Sequence, residues 1–460
     1  MTKLKFAQKS ENQKNRVYFI GIGGIGISAL AQYYLENNWE VFGSDLKESE
    51  ITEFLKKRGA KIFIGKHQAG NLPKDTKLVI WSQAVSKNNP ERVAASKIGA
   101  RLMSYPQALG KITQKYFTIC VCGSHGKSTT CGMLTKVLVA AKKDPTVIIG
   151  TKLKELKNNN FRLGQSNYLL IEADEWRGAF LNYNPQIIII TNIEREHLDY
   201  FKNKEQILKT YEKFVKKLPK SGFLIFNKKD PFTNDLLKRF KKSSFQKIDF
   251  TKVFNFSEMK KILKVPGDHN VLNALAALAT AQILKIPEKI ILKALSQYEG
   301  AWRRLQIQKG RIGDRKVTFI SDYGHHPTEI KATMKAIQEK YPKEKIILIF
   351  QPHQHQRTFY LFKDFVKTFK EKLGAQIVIT DIFEVPGREN LKIKKEVSAE
   401  KLVNKINLNS KKQKAIYLPF SKIRQWLQET IKGREIIVLM GAGDIYELFC
   451  ALTKKTKKLC

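Results

Sequence analysis

The sequence predicts an α/β protein of three doubly wound units, and three observations carry that prediction. Its 460 residues are too many for one hydrophobic core and suit two to four domains. Two junctions of apolar strand, glycine-rich loop and helix occur, one at residues 21–26 and one at residues 123–129. From about residue 308 to the end, apolar strand-like runs again alternate with helical stretches. Parallel strands buried on both faces read as such uninterrupted apolar runs.

The first junction reads VYFI, GIGGIGISALAQYYLENN, WEVFGSD. Gly21, Gly23 and Gly26 fit G-x-G-x-x-G, with Gly24 inside the same loop, and Asp45 ends the second strand about twenty residues on. The pattern predicts a Rossmann-like unit with a diphosphate at the helix N-terminus and a ribose or base on Asp45. A nicotinamide dehydrogenase shares this fingerprint. Strand-like pieces at 61–64 and 78–82, the latter ending in Ser82, continue a first unit assigned to residues 1–111.

The central unit, residues 112–307, opens on FTICVCGSHGKSTTCGML. Gly123, Ser124, His125, Gly126, Lys127, Ser128 and Thr129 form a phosphate loop that is shorter than the usual one, because Val121 stands where its first glycine is expected. Backbone N–H groups and the helix N-terminus face a phosphate, Lys127 supplies a point charge, and the Ser128 hydroxyl can ligate Mg²⁺. An ordinary glycine turn is the plainer alternative. YLLIEADE and QIIIITNIEREHLDY are buried strands ending in polar groups, so Glu172 and His197 are expected to converge on Ser128 as a Mg²⁺ set in a P-loop ATPase-like parallel sheet. Any one of the three could be structural. GDHNVLNALAALATAQIL is a helix with Asp268 as its expected N-cap, and Asn270 in its first turn either reads an adenine edge or caps. Arg303 and Arg304 suit a triphosphate.

The third unit, residues 308–460, is again Rossmann-like. Its expected strands are KVTFISD, KIILIF, QIVITD, KAIYLP and EIIVLMG, with helices near 327–339, 358–373, 399–405 and 421–431. Asp322, His325 and His326 follow the first strand, and His353, Gln354, His355 and Arg357 the second. A histidine-rich metal site is the rival reading of these clusters; no cysteine joins them and H-x-x-x-H is missing.

The formal charge of +41 favours anionic partners, yet the lysines are spread over nearly every segment, as solvated faces would be. No nucleic-acid recognition motif occurs and no specific nucleic-acid partner is expected. Five cysteines, three of them around the phosphate loop, suit a reducing compartment. Cys120 and Cys122 are expected on opposite faces of their strand and so do not share a metal. The polar leader lacks a signal-peptide core and no run is long enough to span a membrane, so a cytoplasmic protein without membrane insertion is expected.

GIGGIGISALA, GSD, GSHGKSTT, EADE, TNIEREHLDY, GDHN-x-x-NALAA, G-x-x-RR, DYGHHPTEI and QPHQHQRT, in this order, resemble the Mur ligases of peptidoglycan synthesis over nearly the whole chain. The best match is the branch that joins L-alanine to UDP-N-acetylmuramate. The resemblance implies ATP and Mg²⁺ as cofactors, with Gly21, Gly23, Gly24, Gly26, Asp45 and Ser82 holding the UDP-sugar. It places ATP on residues 123–129, Asn270 on the adenine, Asp322 on the ribose and Arg304 on the phosphates. Lys127, Glu172, His197, His326 and Arg357 become the catalytic set, and His326, His353 and Arg357 place the amino acid and the muramate carboxylate. Ser128 stands where threonine is usual, Glu196 where aspartate is commoner, Lys66 interrupts a usual Gly-His, and Gln354 stands where some relatives carry arginine. Such departures fall near substrate. They leave open a ligase for another amino acid or a recycled peptide, or a nucleotide-binding protein that does not ligate.

Overall fold

A computed structural model describes residues 15–198, 200–385 and 389–453. The polar leader, Asp199, Cys460 and all but the first residue of the TKKTKKLC tail lie outside them. Three sheets follow one another along the chain. The first holds β1 (Arg16–Ile20), β2 (Glu40–Asp45), β3 (Lys61–Ile64), β4 (Leu78–Trp81) and β5 (Arg101–Ser104) in the order β3-β2-β1-β4-β5, all parallel. The second holds β6 (Phe117–Cys122), β7 (Thr146–Leu153), β8 (Asn159–Arg162), β9 (Tyr168–Glu172), β10 (Ile187–Ile190), β11 (Phe223–Phe226) and β12 (Gln246–Asp249). Its order is β12-β11-β10-β6-β9-β7-β8, with only β8 antiparallel to its neighbour. The third holds β13 (Gln306–Ile312), β14 (Arg315–Asp322), β15 (Ile346–Phe350), β16 (Ala375–Ile379), β17 (Ala415–Tyr417) and β18 (Ile436–Met440) in the order β13-β14-β18-β15-β16-β17, with β13 an antiparallel edge.

Strand β6 carries the phosphate loop and lies between β9 and β10, so their carboxyl ends bring Glu172 and Thr191 to either side of that loop. Its alternation decides the layers. Ile119 and Val121 pack under the helices Lys127–Ala140 and Asp268–Ile283. Cys120 and Cys122 both face the opposite layer, which corrects the expectation of opposite faces: residues two apart on a strand share one. Asp268 is not the cap of its helix either. Gly267 is, at φ +100°, and Asp268 in the first turn instead meets Lys260 and Lys335, at 2.7 and 2.6 Å.

The joints between the units differ. Cys120 and Cys122 belong to an apolar cluster that continues into the first unit through Leu30 and Leu109. Beside it, the side-chain amides of Gln32, Asn159 and Asn160 interlock: Gln32 Nε2 donates to Asn160 Oδ1 at 2.9 Å and Asn159 Nδ2 to Gln32 Oε1 at 2.6 Å. Asn160 Nδ2 also reaches the Ile25 carbonyl. The third unit has cores of its own, against which Leu198 and Trp302 of the central unit pack, and ion pairs also cross this joint. Arg357 pairs with Glu196 at 2.7 Å, Lys335 with Asp268, and Lys260 with Glu339 at 3.0 Å.

Candidate active site

Two glycines in the phosphate loop have no substitute. Gly123 sits at φ +130°, where a Cβ would collide with Thr191 Oγ1 and lie 2.8 Å from the Asn192 carbonyl; Gly126 sits at φ +82°, with Asn273 Oδ1 in the same relation. The residues that crowd them also fix the loop. Thr191 Oγ1 donates to the His125 carbonyl at 2.6 Å, and Asn192 Oδ1 accepts the His125 N–H at 2.9 Å. Lys127 opens the following helix and donates its Nζ to the Gly123 carbonyl at 2.6 Å and to Glu175 Oε2 at 3.3 Å. Burial opposes its charge, but Glu175, Asp174 and Glu172 outweigh burial and raise its pKa, so Lys127 stays a cation.

The expected Mg²⁺ residues divide into two neighbouring groups. Ser128 Oγ donates to Glu172 at 3.0 and 3.1 Å, and Glu172 Oε2 also accepts the Gly150 N–H at 3.0 Å. His197, in the left-handed region at φ +54°, instead turns its Nε2 to Asp174 at 3.7 Å and Glu175 at 4.0 Å. Those three place their ligating atoms within 4.8 Å of one another, and the buried Glu175 Oε1 has no hydrogen-bond partner. A hydroxyl and several carboxylates offering hard oxygen beside a phosphate loop fit Mg²⁺. Asp174 and Glu175 were not singled out from the sequence, although EADE contains both.

Two cavities meet at this loop. One of about 250 Å³ is lined by Thr129, Phe250, His269, Asn270 and Asp322 and is open to a nucleoside. The other, about 440 Å³, runs from Gly24, Gly26 and Ser82 past Lys127 and Ser128 to His353, Gln354 and Arg357, touching all three units. His125, Gly126, Arg304 and Glu329 line both. Asn270 Nδ2 is committed to the Pro266 carbonyl at 2.7 Å, so it ties down the helix start while lining the cavity. The Asp322 carboxylate accepts from Leu305 N at 2.9 Å and Gly324 N at 2.8 Å, and burial pushes its pKa up against the pull of Arg304. Burial and then Arg304 hold His269 down at about 4.

Other expected residues stand slightly apart. Gly21, Gly23 and Asp45 do not line the cleft; Asp45 Oδ2 accepts the Gly23 N–H at 2.8 Å and fixes the glycine loop from behind. His326 caps the helix Pro327–Lys340 with its Nδ1 accepting from Thr328 N at 3.3 Å. Arg357 donates to Glu196 Oε1 at 2.7 and 3.1 Å and contacts His353 Nδ1 at 2.9 Å. Burial would raise the Glu196 pKa, but Arg357 and the neighbouring histidines hold it well below the carboxylate range. Among the described residues, no three of the histidines at 325, 326, 353 and 355 bring ligating atoms together; His326 groups with His125 and Glu196 instead.

Three parallel-sheet units around a phosphate loop, with a nucleoside-sized cavity opening into a cleft that all three share, define a multidomain nucleotide-binding α/β protein. The chain belongs to the Mur ligase family: the family's catalytic-domain, middle-domain and glutamate-ligase-domain models match residues 16–117, 121–281 and 303–443. It is similar to the UDP-N-acetylmuramate–L-alanine ligase of Alkaliphilus metalliredigens, 39% identical over 95% of this chain and 96% of the relative. The enzyme of the same name from Aquifex aeolicus is 38% identical over 94% and 95%. Among solved structures, the UDP-N-acetylmuramate–alanine ligase of Thermotoga maritima superposes with a TM-score of 0.75 at 27% identity, covering 96% of this chain and 98% of that one. A murein peptide ligase from Psychrobacter arcticus shares the fold, with a TM-score of 0.71 at 20% identity over 96% and 99%. No helix among the described residues is long and apolar enough to cross a membrane.

Proposed function

We propose that this chain is an ATP-dependent ligase of peptidoglycan precursor synthesis, acting in the cytoplasm, that joins L-alanine to the lactyl carboxylate of UDP-N-acetylmuramate. The observation that carries the reading is the wall common to both cavities: a nucleotide seated on Asn270 and Thr129 can thread its phosphates past Gly126 to Lys127, midway along the long cleft. The alanine-ligase relatives support the choice of substrates. In this reading residues 1–111 hold the UDP-sugar, 112–307 hold ATP and 308–460 close over both.

The substrate carboxylate and the γ-phosphate are both anions, so the first step depends on positive charge already in place. Lys127, released from Glu175, would lie against the transferred phosphate. Ser128, Glu172 and His197, with Asp174 and Glu175 adjacent, would hold Mg²⁺, whose charge offsets the phosphate repulsion. The carboxylate oxygen attacks the γ-phosphorus, ADP leaves, and an acyl phosphate forms. The alanine amine then attacks the acyl carbon, and the tetrahedral intermediate expels phosphate as the amide forms. His326, His353 and Arg357 place the amine and the carboxylates, and the docked third unit excludes the water that would hydrolyse the acyl phosphate.

The test is phosphate release from ATP with Mg²⁺ and UDP-N-acetylmuramate across L-alanine, L-serine, glycine and the L-Ala-γ-D-Glu-diaminopimelate tripeptide, with products weighed. Release dependent on L-alanine, with the matching product mass, is expected. Release with another amine alone would change the substrate, and no release from folded, ATP-binding protein would remove the ligase reading.

A further inference from the structure

The wall between the two cavities contains a carboxylate that the mechanism above does not use. Glu329 lies in the first turn of the helix Pro327–Lys340, in the third unit, and its Oε2 accepts the N–H groups of His325 at 2.9 Å and His326 at 3.2 Å. The other oxygen faces two cations, His125 Nδ1 at 3.2 Å and Arg304 Nη1 at 3.5 Å. One of these belongs to the phosphate loop and the other to the segment entering the third unit. All three residues line both cavities. We propose that Glu329 is a positioning residue for the nucleotide: docked from the third unit, it holds the His125 imidazolium and the Arg304 guanidinium along the path that the triphosphate takes between the two cavities. The inference rests on the ATP reading above.

The surroundings of His125 decide its protonation. Its Nε2 stands 3.5 Å from Glu194, which also accepts the Thr328 hydroxyl at 2.7 Å; Glu196 and the His326 ring, 4.9 Å away between centroids, lie beside it. Burial disfavours the imidazolium, but Glu329 and Glu194 outweigh burial and hold it at about 10. The cluster of His125, Glu196 and His326 has the spacing of a metal site. It is not wired as one. His326 Nδ1 accepts a backbone N–H, which leaves the proton on Nε2, and His125 is protonated between two carboxylates. A protonated histidine and an arginine flanking a glycine loop suit a polyphosphate. Because Glu329 arrives with the third unit, docking supplies the one carboxylate that faces both cations, and nucleotide affinity is thereby linked to closure.

The test compares wild type with Glu329→Gln, which keeps an oxygen for the two backbone N–H groups and removes the charge. ATP binding in the presence of Mg²⁺ is measured by calorimetry at several pH values, and the His125 ring is followed by nitrogen NMR without nucleotide. Wild-type affinity should change little from about pH 6 to 9, whereas Glu329→Gln should bind nearly as well at the acid end and about tenfold more weakly at the alkaline end. The His125 resonances should titrate inside that window only in the variant. An unchanged pH profile, or a uniform loss at every pH with no change in the His125 titration, would overturn the proposal, the latter marking Glu329 as a helix cap alone. If wild type binds no ATP the functional reading fails, while the NMR arm still reports whether Glu329 sets the charge of His125. Should Glu329→Gln not fold, Glu329→Asp keeps the charge but draws it back by one methylene from His125 and Arg304, and must shift the His125 titration downward and weaken ATP binding at the alkaline end; an unshifted titration would overturn the proposal.

Discussion

The first and second glycine loops use the same turn from strand to helix for different ends. In the loop at residues 21–26 the backbone is tied inward, Gly21 and Ile22 to the Ser44 carbonyl and Gly23 to Asp45, and no side chain in the loop carries charge. In the loop at residues 123–129 the backbone is anchored by Thr191 and Asn192, while His125, Lys127 and Ser128 face a ring of carboxylates. The first spends its backbone N–H groups on its own scaffold. The second turns charged side chains outward into the cleft.

The largest test of that division is Lys127→Ala, which should reduce phosphate release by at least about 10³-fold while leaving UDP-sugar affinity within about twofold. Stopped-flow phosphate detection and calorimetry read the two halves, and wild-type turnover in the variant would remove the distinction. Next comes Gly126→Ala, where the new methyl group meets Asn273 in a backbone conformation that favours glycine. ATP affinity should fall by roughly ten- to a hundredfold, again with the UDP-sugar spared. Asp45→Ala loosens the first loop and should raise the KM for the UDP-sugar about three- to tenfold with the KM for ATP unchanged. An unchanged value would take Asp45 out of the site's support. The smallest effect concerns His269, held at about 4 in the folded chain against an ordinary 6.5. As pH falls from 6.5 towards 4 the unfolded chain takes up a proton that the folded chain refuses, so stability declines across that window. His269→Gln should flatten the decline of melting temperature by roughly 2 °C.

What was legible in the sequence follows the same physics. Central strands such as IIII at 187–190 announce themselves because both faces are buried. The strands that went unnamed include β5, β8, β12 and β13, each closing a sheet at an edge where polar side chains interrupt the apolar run. In the site, Lys127, Ser128 and Glu172 could be paired because loop and strand ends are fixed by local pattern, and the structure places them in contact or in one cleft. Glu329 and Glu194 could not: their partner His125 lies far away in the chain, and each looks like an ordinary surface carboxylate in its own segment. Arg357 shows the opposite limit. Its charge pointed to a substrate carboxylate, yet Glu196 occupies the guanidinium.

The two joints give the molecule a directional weakness. The seam between the first and central units rests mainly on apolar side chains and neutral amides, with the Lys152–Glu50 pair at 2.7 Å beside them, so dissolved ions weaken only a minor part of it. The seam to the third unit includes Lys260, Lys335, Asp268 and Glu339, all partly open to solvent, and their attraction decays as the Debye length shrinks. Raising ionic strength would therefore lengthen the time the third unit spends undocked far more than it would loosen the joint between the first two. The catalytic cycle acquires a salt-sensitive clock mainly on that side, and a surface charge remote from the phosphate loop can set its pace.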